Sequence, residues 1–176
     1  MDKKKYCYDY PRPALTTDCV LFGFNGSELQ VLLIQRADEP FKGQWAFPGG
    51  FMDMDETIEQ CVARELEEET GLTDIQAVQL KSFSKVDRDP RGRTVSVVFY
   101  SLVYNNNLAP RAGDDAINVS WYSINALPSL AFDHDEVFQT AKQQLLYDIV
   151  NQANCKIEFY RKFKKEDLGL ILEQLG

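Results

Sequence analysis

The stretch that decides the fold reads Gly49-Gly-Phe-Met-Asp-Met-Asp-Glu-Thr-Ile-Glu-Gln-Cys-Val-Ala-Arg-Glu-Leu-Glu-Glu-Glu-Thr-Gly-Leu72. It predicts a helix over residues 58–70, because Thr57 and Gln60 have the spacing of a capping box and Gly71 is a typical residue to end a helix. At about 100° per residue, one stripe of this helix is apolar in the first two turns and acidic in the last two. An acidic patch therefore continues the surface that should be buried.

The acidic part of the stripe consists of Glu65, Glu68 and Glu69. Unpaired carboxylates in a protein interior are strongly unfavourable, whereas a divalent cation such as Mg²⁺ can be shared by several carboxylate oxygens. The alternative is a solvated acidic face, which is the usual meaning of a glutamate run. Residues 53–69 nevertheless hold eight acids and one arginine, a local charge of -7 in a chain of net charge -8. The sequence thus favours a metal site on this helix.

The composition limits the class of protein. The chain has 176 residues, of which 44% are hydrophobic and 12% aromatic, so one folded domain is expected. A pI near 4.7 disfavours a general nucleic-acid binder. The apolar runs are too short to span a bilayer, and the N-terminus lacks the pattern of a signal peptide, so we expect a cytoplasmic protein without a membrane segment. Four scattered cysteines and a single histidine argue against structural disulfides or zinc.

Strand and helix patterns alternate along the rest of the chain, which predicts a mixed α/β layer fold. Residues 15–24 and 29–35 flank the turn Asn25-Gly-Ser27 and are expected to form a hairpin. Further strands are predicted at residues 78–85, 94–104 and 119–123, and further helices at residues 135–152 and within 156–176.

The 49–72 stretch resembles the signature of the Nudix family at each of its nine fixed positions, which are Gly50, Glu56, Arg64, Glu65, Leu66, Glu68, Glu69, Gly71 and Leu72. The resemblance implies an α/β/α sandwich with a mixed β-sheet between helices. It also implies an enzyme that hydrolyses a nucleoside diphosphate derivative, with Mg²⁺ or Mn²⁺ as its cofactor.

The resemblance also assigns roles to residues. The catalytic set that it implies is Glu56, Arg64, Glu65, Glu68, Glu69 and Asp115. Three of these glutamates would be metal ligands together with the carbonyl of Gly49, and Glu56 and Arg64 would form a salt bridge that holds the loop against the helix. Asp115 or Asp114 would be an extra metal ligand or the base that deprotonates water; the alternative is an aspartate that merely makes a turn.

Three segments outside the signature resemble the ADP-ribose pyrophosphatase branch of the family and related regulators of NAD metabolism. They are Arg88-Asp-Pro-Arg-Gly-Arg93, Ala112-Gly-Asp-Asp-Ala116 and Leu130-Ala-Phe-Asp-His-Asp135. This likeness implies that the substrate is ADP-ribose, cleaved to AMP and ribose 5-phosphate. Another sugar nucleotide or a nucleoside triphosphate remains an alternative.

The expected substrate-binding residues are Arg36, Phe51, Arg88, Arg91, Phe132 and His134. Guanidinium groups can clamp phosphate, but an arginine-rich turn can also simply be solvated. A lone histidine is more often structural than functional, and Asp133 or Asp135 could cap the helix that follows.

The chain ends suggest an organisation in two parts. We expect a Nudix domain at residues 1–155, with residues 1–14 in a homodimer contact, and a basic helical extension at residues 156–176. Tyr8 and Tyr10 are candidates for stacking on adenine. Residues 156–165 carry five positive charges and one negative charge, so they could instead begin a DNA-binding domain of a ligand-sensing regulator.

Overall fold

The computed structural model describes residues 7–113, 116–151 and 158–176, and in these ranges seven strands form one sheet flanked by three α-helices. The strands are β1 (Ala14–Phe24), β2 (Leu29–Arg36), β3 (Trp45–Ala46), β4 (Gly49–Phe51), β5 (Val78–Phe83), β6 (Thr94–Tyr104) and β7 (Ala116–Ser123). The helices are α1 (Ile58–Thr70), α2 (His134–Val150) and α3 (Lys165–Leu175), with a 3₁₀ helix at Glu158–Lys162. The predicted α/β fold is confirmed.

The sheet is mixed and divides along one edge of β1. β1 runs parallel to β6 over its full length, while the other pairings are antiparallel. On its other edge, residues 22–24 of β1 pair with β2 and residues 16–18 pair with β4. β2 meanwhile pairs with β3 and β7. The sheet is therefore open between β1 and β2 on the N-terminal side of residue 22, and the candidate site lies at this opening.

Both faces of the sheet are covered, as the alternation of side chains along β1 requires. Cys19 and Leu21 pack with α1, in a cluster that includes Val62 and Leu66. Side chains at the even positions from residue 20 to 24 pack in the larger cluster with α2 and α3. The predicted sandwich of helices around a mixed sheet is confirmed.

Helix α1 has the predicted bounds. The Thr57 side chain accepts a hydrogen bond from the Gln60 backbone N–H, and the Gln60 side chain accepts one from the Thr57 backbone, so both halves of the capping box are present. Gly71 follows in the left-handed conformation, with φ at 69°, and its N–H donates to the carbonyl of Glu67. Local sequence therefore determines both ends of this helix.

The described part of the predicted C-terminal extension packs on the main core. Phe163 and Ile171 are buried in the larger cluster, and Phe163 stacks on Tyr104 with ring centroids 4.1 Å apart. The Gln174 side chain accepts a hydrogen bond of 2.7 Å from the backbone N–H of Leu29. Residues 158–176 therefore share the core of the sheet. No helix in the described ranges is long and apolar enough to cross a membrane.

Candidate active site

A cleft lies where β1 and β2 separate, and it has two connected parts. The inner chamber is open to solvent on one side and is lined by Thr16, Asp18, Ile34, Arg36, Ala46, Phe47, Gly49, Gly50, Phe51, Arg88, Asp89, Arg91, Phe132 and His134. The acidic mouth is lined by Ile34, Arg36, Ala37, Asp38, Glu39, Gly49, Gly50, Phe51, Asp53, Arg64, Glu65, Glu68, Glu69 and Arg91. The residues common to both parts form the neck of the cleft.

Helix α1 presents its acidic stripe to the mouth. Glu69 is only 8% exposed, and its carboxylate accepts a hydrogen bond of 2.8 Å from the backbone N–H of Gly49. Glu65 lies against Gly50 so closely that a Cβ at this glycine would come within 2.4 Å of the carboxylate. Glu68 is more exposed and lies toward solvent. The two glycines therefore allow the loop to approach the carboxylates of the helix.

Arg64 links these acids to the preceding loop. Its guanidinium group donates to Glu56 at 2.7 and 3.0 Å, to Glu65 at 2.8 Å and to Glu68 at 3.0 Å. It also donates to the carbonyl of Phe51 at 3.1 Å. Hydrogen bonds from Arg64 lower the pKa of Glu56 to about 2. The predicted salt bridge between Glu56 and Arg64 is present, and it holds loop and helix together.

The donor set at the mouth suits a divalent metal ion. Burial raises the pKa of Glu65, and the neighbouring Arg64 offsets part of this effect. Within residues 7–113, 116–151 and 158–176, no three acid, histidine or cysteine side chains converge closely enough to hold an ion as they stand. The oxygen chemistry nevertheless fits Mg²⁺ or Mn²⁺, because carboxylates of one helix and the adjoining loop carbonyl are hard ligands. The ligand roles of Gly49, Glu65, Glu68 and Glu69 stay predictions.

Asp18 gives the inner chamber a buried carboxylate. It is 8% exposed and accepts a hydrogen bond from the Ser96 hydroxyl, across the parallel pairing of β1 and β6. The Arg88 guanidinium lies 3.9 Å from Asp18 Oδ2, and Nε2 of His134 lies 3.6 Å from Oδ1. Asp18 is not among the site residues that the sequence predicts. The available signal was a carboxylate within a strand of otherwise uncharged residues.

His134 lies at the start of α2 and is 2% exposed. The backbone N–H of Phe47 donates to its Nδ1 at 3.1 Å, so a neutral ring carries its proton on Nε2, the atom nearest Asp18. Burial lowers the pKa of His134, while the charge of Asp18 acts in the opposite direction. The structure therefore supports a neutral, positioned imidazole in the wall of the chamber.

Arg88 forms a buried ion pair. Its guanidinium donates to both carboxylate oxygens of Asp133, at 2.7 and 2.9 Å, and its side chain is only 4% exposed. Asp133 occupies the N-cap position of α2, but its side chain makes no capping hydrogen bond and binds Arg88 instead. Arg88 lines the chamber, but the ion pair with Asp133 occupies the Nε and Nη2 donors of its guanidinium group.

Arg36 and Arg91 stand at the neck. Arg91 donates to Asp89 and lies 4.8 Å from the ring of Phe51 and 5.6 Å from that of Phe132. Arg36 lies 4.9 Å from the Phe132 ring. Burial and the nearby Arg91 both lower the pKa of Arg36. Asp89 engages the Nε and Nη2 of Arg91, so the guanidinium N–H groups available for phosphate oxygens at the neck are those that Asp89 leaves uncovered, together with those of Arg36.

Most predicted site residues meet in this one cleft. The residues that the structure brings to it are Arg36, Gly49, Phe51, Arg64, Glu65, Glu68, Glu69, Arg88, Arg91, Phe132 and His134. Glu56 reaches the cleft through Arg64, whereas Asp114 and Asp115 lie outside the described residues. The cleft is also lined by Thr16, Asp18 and Asp89, which the sequence did not predict as parts of the site.

Comparison with known proteins agrees with this geometry. Residues 12–141 match the family described as the NUDIX domain. The chain is 43% identical over 138 residues to the ADP-ribose pyrophosphatase of Methanocaldococcus jannaschii, which covers 78% of each chain. It is 37% identical over 141 residues to the ADPR responsive transcriptional repressor NtrR of Acinetobacter baylyi, which covers 78% of this chain and 56% of the repressor. The cocrystal structure of the NUDIX domain of Shewanella oneidensis NrtR with ADP ribose is similar at a TM-score of 0.71 and 35% identity, covering 78% of this chain and 94% of that chain.

Proposed function

The chain belongs to the Nudix family, and from this premise we propose that it hydrolyses the pyrophosphate bond of ADP-ribose to give AMP and ribose 5-phosphate, with Mg²⁺ or Mn²⁺ as cofactor. The observation that carries the proposal is the continuity of the cleft. Carboxylates of α1 line one part, and the Arg36 and Arg91 pair stands at the neck that leads to a second chamber. Such a cleft matches a molecule with a diphosphate between two other groups.

The acidic mouth is the reaction centre in this proposal. Glu65, Glu68, Glu69 and the Gly49 carbonyl would hold the cation, which when bound neutralises phosphate charge and makes water a better nucleophile. Arg64 holds the helix against the loop through its hydrogen bonds to Glu56, so that the carboxylates of the helix stay close to the Gly49 carbonyl. Arg36 and Arg91 would bind the non-bridging phosphate oxygens. Water attacks one phosphorus, the bridging P–O bond breaks, and the other phosphate leaves as a monophosphate.

Deprotonation of the attacking water requires an acceptor. Asp115 stays our proposed candidate; it lies outside the described residues and directly precedes in sequence Ala116, the first residue of β7. The neighbouring Gly113 donates its N–H to the carbonyl of Glu69, so the loop approaches the end of α1. A carboxylate has the chemistry for this role.

Hydrolysis assays on the purified chain test the proposal. We expect cleavage of ADP-ribose with Mg²⁺ or Mn²⁺ and none with EDTA, with AMP and ribose 5-phosphate as products. Glu69→Gln keeps the side-chain size but removes a charge from the mouth, so kcat should fall by about 100-fold or more. Glu67→Gln is the matched control, because Glu67 is on the same helix, is exposed and does not line the cleft. Its activity should stay within about twofold of wild type.

Two results would contradict this function. Efficient cleavage of a nucleoside triphosphate without cleavage of ADP-ribose would show that the substrate is different. Wild-type rates in Glu69→Gln would show that the acidic mouth is not the reaction centre.

A second candidate function is a regulator that responds to ADP-ribose. The similarity to the Acinetobacter baylyi repressor favours it, although this chain spans 56% of that protein. An electrophoretic mobility shift with operator-like DNA distinguishes the two functions, because a regulator would bind specifically and ADP-ribose would change the binding. The enzyme proposal expects no such binding. We also retain the proposal of a homodimer, which sedimentation analysis of the purified chain can test.

A further inference from the structure

The inner chamber has a polar floor that the proposed chemistry leaves unused. Thr16 and Asp18 are two residues apart on β1, so their side chains point to the same face of the sheet, and both line the chamber. Thr16 is 6% exposed, and its Oγ1 has no hydrogen-bond partner within the part of the chain that the structure describes. Buried hydroxyls in native proteins are nearly always paired, so this one points to a ligand.

The charges of the chamber show what kind of ligand group suits the floor. The Arg88 guanidinium is paired with Asp133, and Arg91 is paired with Asp89. Asp18 Oδ2 accepts a hydrogen bond from the Ser96 hydroxyl and lies 3.9 Å from the Arg88 guanidinium, and Asp18 Oδ1 lies 3.6 Å from the Nε2 of His134. Asp18 can therefore accept further hydrogen bonds but would repel a phosphate. The floor suits an uncharged group with hydrogen-bond donors.

We propose that Thr16 and Asp18 bind hydroxyl groups of one ribose of the substrate. The inference rests on the proposed function, in which the diphosphate lies between the acidic mouth and the neck. Sugar hydroxyls both donate and accept, which complements a threonine hydroxyl beside a carboxylate acceptor.

The aromatic residues favour a sugar over a base at the floor. Phe47 and His134 stack on each other inside the chamber, with ring centroids 5.3 Å apart and an angle of 26° between the planes. The exposed ring is that of Phe51, which is 44% exposed and lies at the neck. A base that stacks on an aromatic ring would use Phe51, and this leaves the hydroxyl and carboxylate of the floor to the sugar.

Thr16→Val tests the inference because valine has the shape of threonine without its hydroxyl. We expect kcat/KM for ADP-ribose to fall about 3- to 10-fold, mainly through KM, as for the loss of one uncharged hydrogen bond. The melting temperature should stay the same or rise, since the change removes a buried polar group that has no partner in the free protein. Thr16→Ser keeps the hydroxyl and should restore most of the activity. Thr140→Val is the matched control, because the Thr140 hydroxyl donates to the carbonyl of Glu136 within α2.

Substrate analogues then identify the substrate group to which Thr16 forms a hydrogen bond. We would compare wild type and Thr16→Val on ADP-ribose, on analogues that lack one hydroxyl of either ribose, and on the analogue with hypoxanthine in place of adenine. The Thr16→Val penalty should vanish for one of the deoxy analogues, which also shows which ribose occupies the chamber. A penalty that persists in all deoxy analogues, or vanishes only with hypoxanthine, overturns the inference, as does the absence of any penalty.

Titration calorimetry of the same ligands separates this inference from the proposed function. If wild type binds ADP-ribose without cleaving it, the hydrolase proposal fails. The role of Thr16 is then decided by the Kd values: Thr16→Val should weaken the binding of ADP-ribose but not the binding of one of the deoxy analogues. If wild type does not bind ADP-ribose, the inference is overturned as well.

Discussion

At the scale of single residues, the charge state of His134 is set by burial. Protonation would place a charge in the interior and convert Nδ1, which accepts from the Phe47 N–H, into a donor. Desolvation lowers the pKa of His134 in the folded state; Asp18 and Asp133 raise it, whereas Arg88 and Arg36 lower it further. The net direction is downward, so the folded protein binds fewer protons than the unfolded chain below the ordinary histidine pKa of about 6.5.

This sign gives a prediction about pH. The contribution of His134 to stability is present above pH of about 6.5 and is lost as the pH falls from there toward the folded-state pKa. We expect His134→Gln to show a flatter decline in unfolding free energy between pH 7 and pH 5 than wild type. Each unit of pKa difference corresponds to about 1.4 kcal/mol. Urea unfolding at several pH values measures the free energy of unfolding. The slopes of this free energy against pH are compared between wild type and variant, so that a pH-independent loss of stability in the variant cancels. Equal slopes would show that the imidazole does not titrate differently on folding.

Residues also show what could be predicted from the sequence. Glu65 and Glu69 can be predicted as site residues, because they continue the apolar stripe of helix α1 with acidic side chains, and this pattern is local in sequence. Asp18 was missed because its partners come from distant positions: Ser96 is 78 residues away, and the pairing of β1 with β6 brings it near. The Arg88–Asp133 pair spans 45 residues and has no local signal either. Tertiary contacts of this kind determine whether an arginine is free to bind phosphate.

At the scale of elements, the ends of a helix or strand can be predicted from the sequence when the interactions that set them are close in sequence. Helix α1 has the predicted ends because its caps are within its own sequence. β7 begins at Ala116 rather than at the predicted residue 119, because its pairing with β2 extends to Arg36. β5 ends at Phe83 rather than at residue 85. Strand ends depend on partners that are remote in sequence, so local patterns locate them less well.

Helix α3 provides a prediction about an element. Ile171 is fully buried in the main core, whereas its neighbour Leu170 is 40% exposed. Ile171→Ala should therefore lower the free energy of unfolding by about 2–5 kcal/mol, and Leu170→Ala by less than about 1 kcal/mol. Chemical denaturation followed by circular dichroism measures both. A single transition that shifts in Ile171→Ala is expected, because Tyr104 and Asp167 also link α3 to the sheet by a hydrogen bond of 2.6 Å. Equal effects of the two substitutions would show that residues 165–175 are an independent extension.

At the scale of the whole molecule, the negative charge is concentrated at one place. Residues 53–69 carry a balance of -7, nearly the net charge of the entire chain, and Glu65 and Glu69 are among the less exposed of these acids. Arg64 compensates part of this charge through Glu56, Glu65 and Glu68. Like-charge repulsion among the remaining carboxylates disfavours the folded state, since the unfolded chain separates them.

This distribution predicts that divalent cations stabilise the protein. Ions that bind only the folded state add stability in proportion to the logarithm of their concentration, about 2.7 kcal/mol at 100 times the Kd. For a chain of this size, each kcal/mol raises the melting temperature by about 2–4 °C. We therefore expect Mg²⁺ or Mn²⁺ to raise the melting temperature by several degrees, and EDTA to reverse the rise. Sodium chloride at the same ionic strength controls for screening, which acts on all exposed charges alike.

Two glutamine variants locate the effect of the ion. Glu69→Gln should reduce the Mg²⁺-dependent rise in melting temperature, because it removes a carboxylate from the acidic mouth. Glu67→Gln removes the same charge from the exposed side of the same helix and should leave the rise unchanged. Without Mg²⁺, both variants relieve repulsion and neither should melt far below wild type. If the two variants respond equally to Mg²⁺, the ion acts through the overall charge of the helix, and the acidic mouth is not its binding site.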